Sequence, residues 1–153
     1  MVSRLHHFLP AVALLLLGGL VGCDQAGLLD PSRGQGPLVS GLVVRPDSVN
    51  AADLAPDQVQ DSLAQVSLRL QVRATDPDGT VERVQFTIEP SSNPRGTATG
   101  PLQRADDSLF AAQLGLSVPV NRTEVYTVRV FAVDDDSLAS NQALGQFHFV
   151  SAP

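Results

Sequence analysis

Cys23 is the only cysteine in the chain, and it closes the run Leu20-Val21-Gly22-Cys23. A single thiol cannot form a disulfide within its own chain, so its chemistry is that of a nucleophile or of an acceptor for a covalent group. Carboxylates are the second set of residues with chemistry to offer. Asp76 and Asp78 flank a proline in Asp76-Pro77-Asp78-Gly79, and Asp134, Asp135 and Asp136 are consecutive. Five carboxylates brought together would repel one another, and a cation would relieve the repulsion. Ca²⁺ suits such a set, because it takes about six to eight oxygen ligands in flexible geometry. The same residues have a plainer use. Asp-Pro-Asp-Gly is turn chemistry, and an aspartate in a hairpin loop accepts hydrogen bonds from its own backbone.

Little else supports catalysis. His148 is the only histidine besides His6 and His7, and alternation places it on the outer face of a terminal strand. No Gly-x-Ser-x-Gly, His-Glu-x-x-His or phosphate-loop pattern occurs. Glu82, Glu89 and Glu124 stand apart from one another and read as solvated surface charges. An enzyme is therefore not expected, and no cofactor beyond the candidate calcium ion. The formal net charge is −6, every basic residue is arginine, and no basic run occurs. That balance argues against nucleic acid as a partner.

The segment that presents Cys23 is short and apolar. Residues 1–10 carry Arg4, His6 and His7 and no acid, and residues 11–20 are an uncharged, leucine-rich core. The apolar stretch 8–22 falls short of the roughly 20 residues needed to span a bilayer core, and Gly22 offers the small side chain that a signal peptidase accepts. The pattern resembles the lipobox of bacterial lipoproteins. That resemblance implies a signal peptide over residues 1–22, cleavage before Cys23, and lipid on Cys23 (a diacylglycerol and further acyl chains of the palmitate kind). Two or more chains make anchoring stable where one does not. Residues 23–37 follow as the lipidated cysteine and a tether, since 24–37 contain three glycines, two prolines and no apolar periodicity.

From residue 38 onward the period is two. Val66, Leu68, Leu70 and Val72 alternate with Ser67, Arg69, Gln71 and Arg73, and Val84, Phe86 and Ile88 alternate with Gln85, Thr87 and Glu89. Phe110 to Leu116, Tyr126 to Ala132, and Phe147 with Phe149 repeat the pattern. Successive side chains on a strand face opposite ways, so each segment has one buried and one wet face. Residues 39–45 predict a first strand, 97–103 a short extra one, and 53–63 a turn or two of helix. The expectation is an all-β domain of six or seven strands in two packed antiparallel sheets. Its predicted core contains Leu68, Leu70, Phe86, Phe110, Tyr126, Val128, Val130 and Phe147.

Residues 73–81 with 84–86, residues 126–136 with Ser140, and residues 41–49 with Pro46 resemble bacterial immunoglobulin-like, PKD-like and cadherin-like modules. The resemblance implies an immunoglobulin-like two-sheet sandwich of about seven strands over 38–153. It also places the 76–79 and 134–136 loops at one end of the sandwich, so that Asp76, Asp78, Asp134, Asp135 and Asp136 form the candidate calcium site. The tether would enter at that end. The connections 47–64 and 90–107 would then point away from the membrane as recognition surfaces. The function expected is a membrane-anchored, non-catalytic lipoprotein of the bacterial cell envelope, on its periplasmic or surface face. Its domain would bind or space an envelope protein or glycan. The alternative is a calcium-dependent adhesion or carbohydrate-binding module.

Overall fold

Alternation becomes strand wherever it was expected. Ala64, Val66, Leu68, Leu70, Val72 and Ala74 are buried on one strand, and every residue between them is exposed or half-buried. The structure is a computed structural model that describes residues 34–93 and 96–152. The expected signal peptide and Cys23 lie outside the described residues. The described residues form nine strands: β1 (Leu38–Arg45), β2 (Ser48–Asn50), β3 (Val59–Gln60), β4 (Leu63–Thr75), β5 (Val81–Pro90), β6 (Ala98–Arg104), β7 (Leu109–Pro119), β8 (Glu124–Asp134) and β9 (Ala143–Val150). The described residues contain two 3₁₀ turns, Ala51–Asp53 and Pro56–Gln58, and no α-helix. None of their helices is long and apolar enough to cross a membrane.

The strands follow the order β1-β4-β7-β6-β5-β8-β9-β2, with β3 added to β4. β6 joins the two halves of this path. Its Ala98–Leu102 stretch pairs with β5, and its last residues, Gln103 and Arg104, pair with β7. The chain also crosses between halves at its start, because β1 pairs with β4 whereas β2, just beyond Pro46, runs parallel to β9. All other pairings are antiparallel. The result is an all-β, sandwich- or barrel-like arrangement. All eight predicted core residues are buried, and Phe149 joins them. Tyr126 packs its ring 5.7 Å from that of Phe147. Burying each such side chain contributes about 1.5–3 kcal/mol.

Two segments are more ordered than their composition implies. Residues 47–64, expected as an open connection, hold β2, both 3₁₀ turns and β3, and Val49, Ala51 and Leu54 pack on the core. The β3–β4 hairpin turns on Asp61 (φ +50°) and Ser62 (φ +65°). Two left-handed residues suit a two-residue turn between twisted strands, but neither is the glycine or asparagine that would mark one. The described end of the tether is held as well. The Gln35 N–H donates to Asp78 Oδ2 at 2.8 Å, and Pro37 is buried. Asn141 accepts from the Val39 N–H and donates to its carbonyl, both at 2.9 Å.

Candidate functional site

The two aspartate loops do meet at one end of the domain. Thr80 N–H donates to Asp135 Oδ1 at 3.1 Å, and Asp135 N–H donates to the Thr80 carbonyl at 3.2 Å. Gly79 makes this approach feasible. A Cβ there would lie 2.8 Å from Asp135 Oδ1 and 3.1 Å from Asp76 Oδ2, closer than a side chain tolerates. The Gln35 bond to Asp78 brings the tether to the same end. A groove of about 550 Å³ runs between that segment and the loops, lined by Gln35, Pro37, Leu38, Thr75, Asp76 and Asn141 among others. Arg104 braces the neighbouring hairpin, lying 4.6 Å over the Phe110 ring and donating to the carbonyls of Val81 (2.8 Å) and Asp107 (2.7 Å).

The carboxylates are spent on backbone. Asp76 Oδ1 accepts from the N–H groups of Asp78 (3.3 Å) and Gly79 (3.1 Å), closing a turn. Asp134 is buried, and its Oδ1 accepts from Leu138 N–H at 2.7 Å. The Thr80 N–H first, then Asp135's own N–H and the Thr80 hydroxyl, hold the Asp135 carboxyl below its usual range against a small opposing effect of burial. The loops that carry Asp76, Asp78, Asp134, Asp135 and Asp136 thus meet, and Asp76 and Asp134 serve the plainer use, accepting backbone N–H groups of their own turns. Among the described residues no three carboxylate, imidazole or thiol groups stand close enough together to hold a metal ion. These carboxylates accept from backbone N–H groups of their own loop (Asp76, Asp134), of the facing loop (Asp135) or of residue 35 (Asp78), bonds that spread the like charges instead of gathering them. One loose end remains: Asp76 Oδ2 is shielded from water and has no hydrogen-bond partner among the described residues.

Glu124 departs most from its sequence reading. Expected as a solvated charge, it is 2% exposed. Its carboxylate accepts from Ser91 Oγ at 2.6 Å, from Ser92 N–H at 3.0 Å and from the Ser92 hydroxyl. Arg122 Nη2 lies 3.2 Å away. Burial pushes the Glu124 carboxyl up, but the Ser91 and Ser92 hydrogen bonds and the Arg122 charge outweigh it and hold the group below its usual value. Burial, and then the Glu124 charge, push the nearby Tyr126 hydroxyl up, with Arg122 opposing. A signal for Glu124 was present in the chain, since it shares the inward phase of Tyr126, Val128 and Val130. Glu82 and Glu89 do stand at the surface, beside Arg83 (3.2 Å) and Arg129 (3.4 Å). His148 is exposed, as expected. Strand pairing makes one more group that composition hides: Arg45 lies directly across from Arg69, so the absence of a basic run does not mean the absence of a basic face.

Fold and site together define an all-β domain with one carboxylate-rich end built from backbone-accepting turns, and a buried glutamate near the start of β8. No protein-family model matches the chain, and no curated protein matches it. Among solved structures it is similar to the Pseudomonas fluorescens alkylpurine DNA glycosylase AlkC bound to DNA containing an abasic site analog. Identity there is 13% and the TM-score 0.43, over 75% of this chain and 30% of that one. It is also similar to AggA, the major subunit of aggregative adherence fimbriae type I from Escherichia coli, with 9% identity and a TM-score of 0.38, over 78% of this chain and 97% of that one. The chain thus spans under a third of the glycosylase's length.

Proposed function

We propose that this chain is a lipid-anchored, non-catalytic lipoprotein of the bacterial cell envelope, whose immunoglobulin-like sandwich domain binds or spaces a partner there. The observation that carries the reading is Cys23: one thiol in the whole chain, placed after Leu20-Val21-Gly22 at the close of a basic-then-apolar leader. The domain reading draws on topology. Successive strands β1 and β2 that pair with β4 and β9, and a β6 that divides between β5 and β7, are the exchanges expected of two sheets sharing one core. The non-catalytic reading draws on Asp76, Glu89, Glu124 and Asp134, which are engaged with backbone, an arginine or serines rather than aimed together at a shared space.

The test is Cys23→Ser in the full chain, expressed in a bacterium and followed by detergent phase partition and mass. The parent is expected in the detergent phase, without residues 1–22 and with the added mass of lipid. The variant is expected to retain its leader and carry no lipid. Identical masses for the two, apart from the oxygen-for-sulfur exchange, would remove the anchor and with it the reading.

A further inference from the structure

Among the described strands of this acidic chain only β5 and β8 hold an aspartate or glutamate. None of β1, β4 and β7 contains an aspartate or glutamate, although the chain holds 16 such residues. These three strands are neighbours, in the order β1-β4-β7. Their outer face carries Arg45, Arg69 and Arg73, all exposed. Arg45 and Arg69 are directly paired across the ladder, and Arg73 follows Arg69 on the same face, about 13 Å further along β4. Like charges directly opposite on a sheet are destabilising. None of the three forms an ion pair among the described residues. Arg73 donates to Ser108 Oγ at 3.2 Å. The rest of the face is uncharged: Leu38, Val43 and Leu63 stand exposed on it, and among its polar members Gln65 accepts from Ser117 and Ser67 from Gln113. Aspartates stand beyond its ends, Asp47 after β1, Asp61 before β4, Asp76 and Asp78 after β4, and Asp106 and Asp107 before β7.

We infer that the outer face of β1, β4 and β7 rests on anionic phospholipid headgroups of the membrane in which the chain is anchored. This rests on the lipid-anchor reading of Cys23. The attachment point supports it. Ten residues separate Cys23 from Gly34, and a chain of that length reaches at most about 35 Å. Gly34 and Gln35 lie at Asp78, just past the end of β4, so Arg73 is the nearest of the three arginines and Arg69 lies only about 20 Å from that end. The face is therefore within reach of the surface. An upright domain would instead press Asp78, Asp135 and Asp136 against anionic headgroups, which repel them. Lying on the arginine face avoids this and brings three guanidinium groups, good bidentate partners of phosphate, to the surface. Three arginines beside an anionic surface bias the orientation about a hundredfold at low salt.

The test uses the full lipidated chain in vesicles, with a donor dye on Ser67→Cys, or on Gln85→Cys of β5 as the contrasting face. Cys23 is occupied by lipid, so the new thiol is the only reactive one. Vesicles of phosphatidylcholine alone or with a third phosphatidylglycerol carry a headgroup acceptor dye. Energy transfer several-fold stronger from Ser67→Cys than from Gln85→Cys is expected only with phosphatidylglycerol. It should be lost at about 0.5 M salt, and lost with Arg45, Arg69 and Arg73 all changed to glutamine. Equal transfer from both sites in protein that floats with the vesicles would overturn the orientation and leave the anchor standing. Protein that does not float with neutral vesicles would overturn the anchor. A Ser67→Cys dye that responds to dextran sulfate but not to anionic vesicles would assign the face to an acidic polysaccharide, and overturn the inference.

Discussion

Removing the Glu124 carboxylate should destabilise the domain as a core change does, although Glu124 lies only just inside β8. The side chain accepts three described hydrogen bonds from Ser91 and Ser92 and faces Arg122. A hydrogen bond to a charged group contributes about 1.5–3 kcal/mol. The three are not additive here, because Ser91 and Ser92 are exposed and their freed donors can turn to water. Arg122 is half-exposed and keeps its hydration. Glu124→Ala is therefore expected to cost about 2–3 kcal/mol, below the roughly 3–5 kcal/mol of breaking a fully buried pair. Glu124→Gln keeps the shape and one acceptor but presents an amide N–H₂ to Ser92 and Arg122, and should cost about 1–2 kcal/mol. Glu89→Gln, at the exposed Arg129 pair, should cost no more than about 0.5 kcal/mol. The pH dependence has a definite sign. The folded pKa of Glu124 lies below the ordinary 4.5. The unfolded chain therefore binds the proton first as pH falls, and the stabilisation is complete above about 4.5 and drains away below it. Urea unfolding followed by far-ultraviolet circular dichroism at pH 7 and across about pH 5 to 3 would read both. If Glu124→Ala lost no more than Glu89→Gln, or if parent and Glu124→Gln kept a constant gap from pH 7 to pH 3, the carboxylate would not be held as described.

Leu68→Ala should cost about 2–5 kcal/mol and Arg69→Ala no more than about 0.5 kcal/mol; equal losses in urea would put β4 in the wrong register. Ser62→Gly should raise stability by about 0.5–1 kcal/mol, because Ser62 holds φ +65°, a region that costs a side-chain-bearing residue about 1–2 kcal/mol; a loss in thermal melts would show that the β3–β4 turn differs. Millimolar Ca²⁺ and EDTA should leave the melting temperature unchanged, since Asp76, Asp134 and Asp135 already accept backbone N–H groups; a stabilisation near the ~2.7 kcal/mol of a well-occupied site would mean that they re-aim around the ion.

The strands were legible because each carries its signal locally. β4 shows it best: from Ala64 to Thr75 its apolar and polar members alternate without a break, with burial following the same beat. β7 was harder, since Ala111, Ala112 and Leu114 are all half-buried and the pattern blurs where the strand leaves β6. β3 was not legible. Two residues hold no periodicity, and the turn that makes them a strand uses Asp61 and Ser62 in conformations that their types do not announce. The meeting of the 76–79 and 134–136 loops could be anticipated from the module resemblance. The turn-closing use of Asp76 and Asp134 was legible too, in Asp-Pro-Asp-Gly and in the hairpin position of 134–136; the bonds of Asp78 to Gln35 and of Asp135 to Thr80 were not, because those partners lie 43 and 55 residues away in sequence.

Glu124 and the arginine face were missed for opposite reasons. For Glu124 the signal lay in the phase of a single strand, but a carboxylate in an apolar register reads as an error until its partners are known. Those partners, Ser91 and Ser92, arrive from the far end of β5, 32 or 33 residues away in sequence. Arg45, Arg69 and Arg73 show no cluster along the chain, and the net charge points the other way. Only the pairing of β1 with β4 sets Arg45 across from Arg69. A net charge averages over faces that never meet the same partner, whereas a surface responds to the face presented to it. In a tethered domain the choice of face is nearly free of translational cost, because the anchor already confines the chain near the surface. Three arginines that would give weak binding in free solution are then enough to decide how an anchored domain lies, and so which of its loops remain open to a partner.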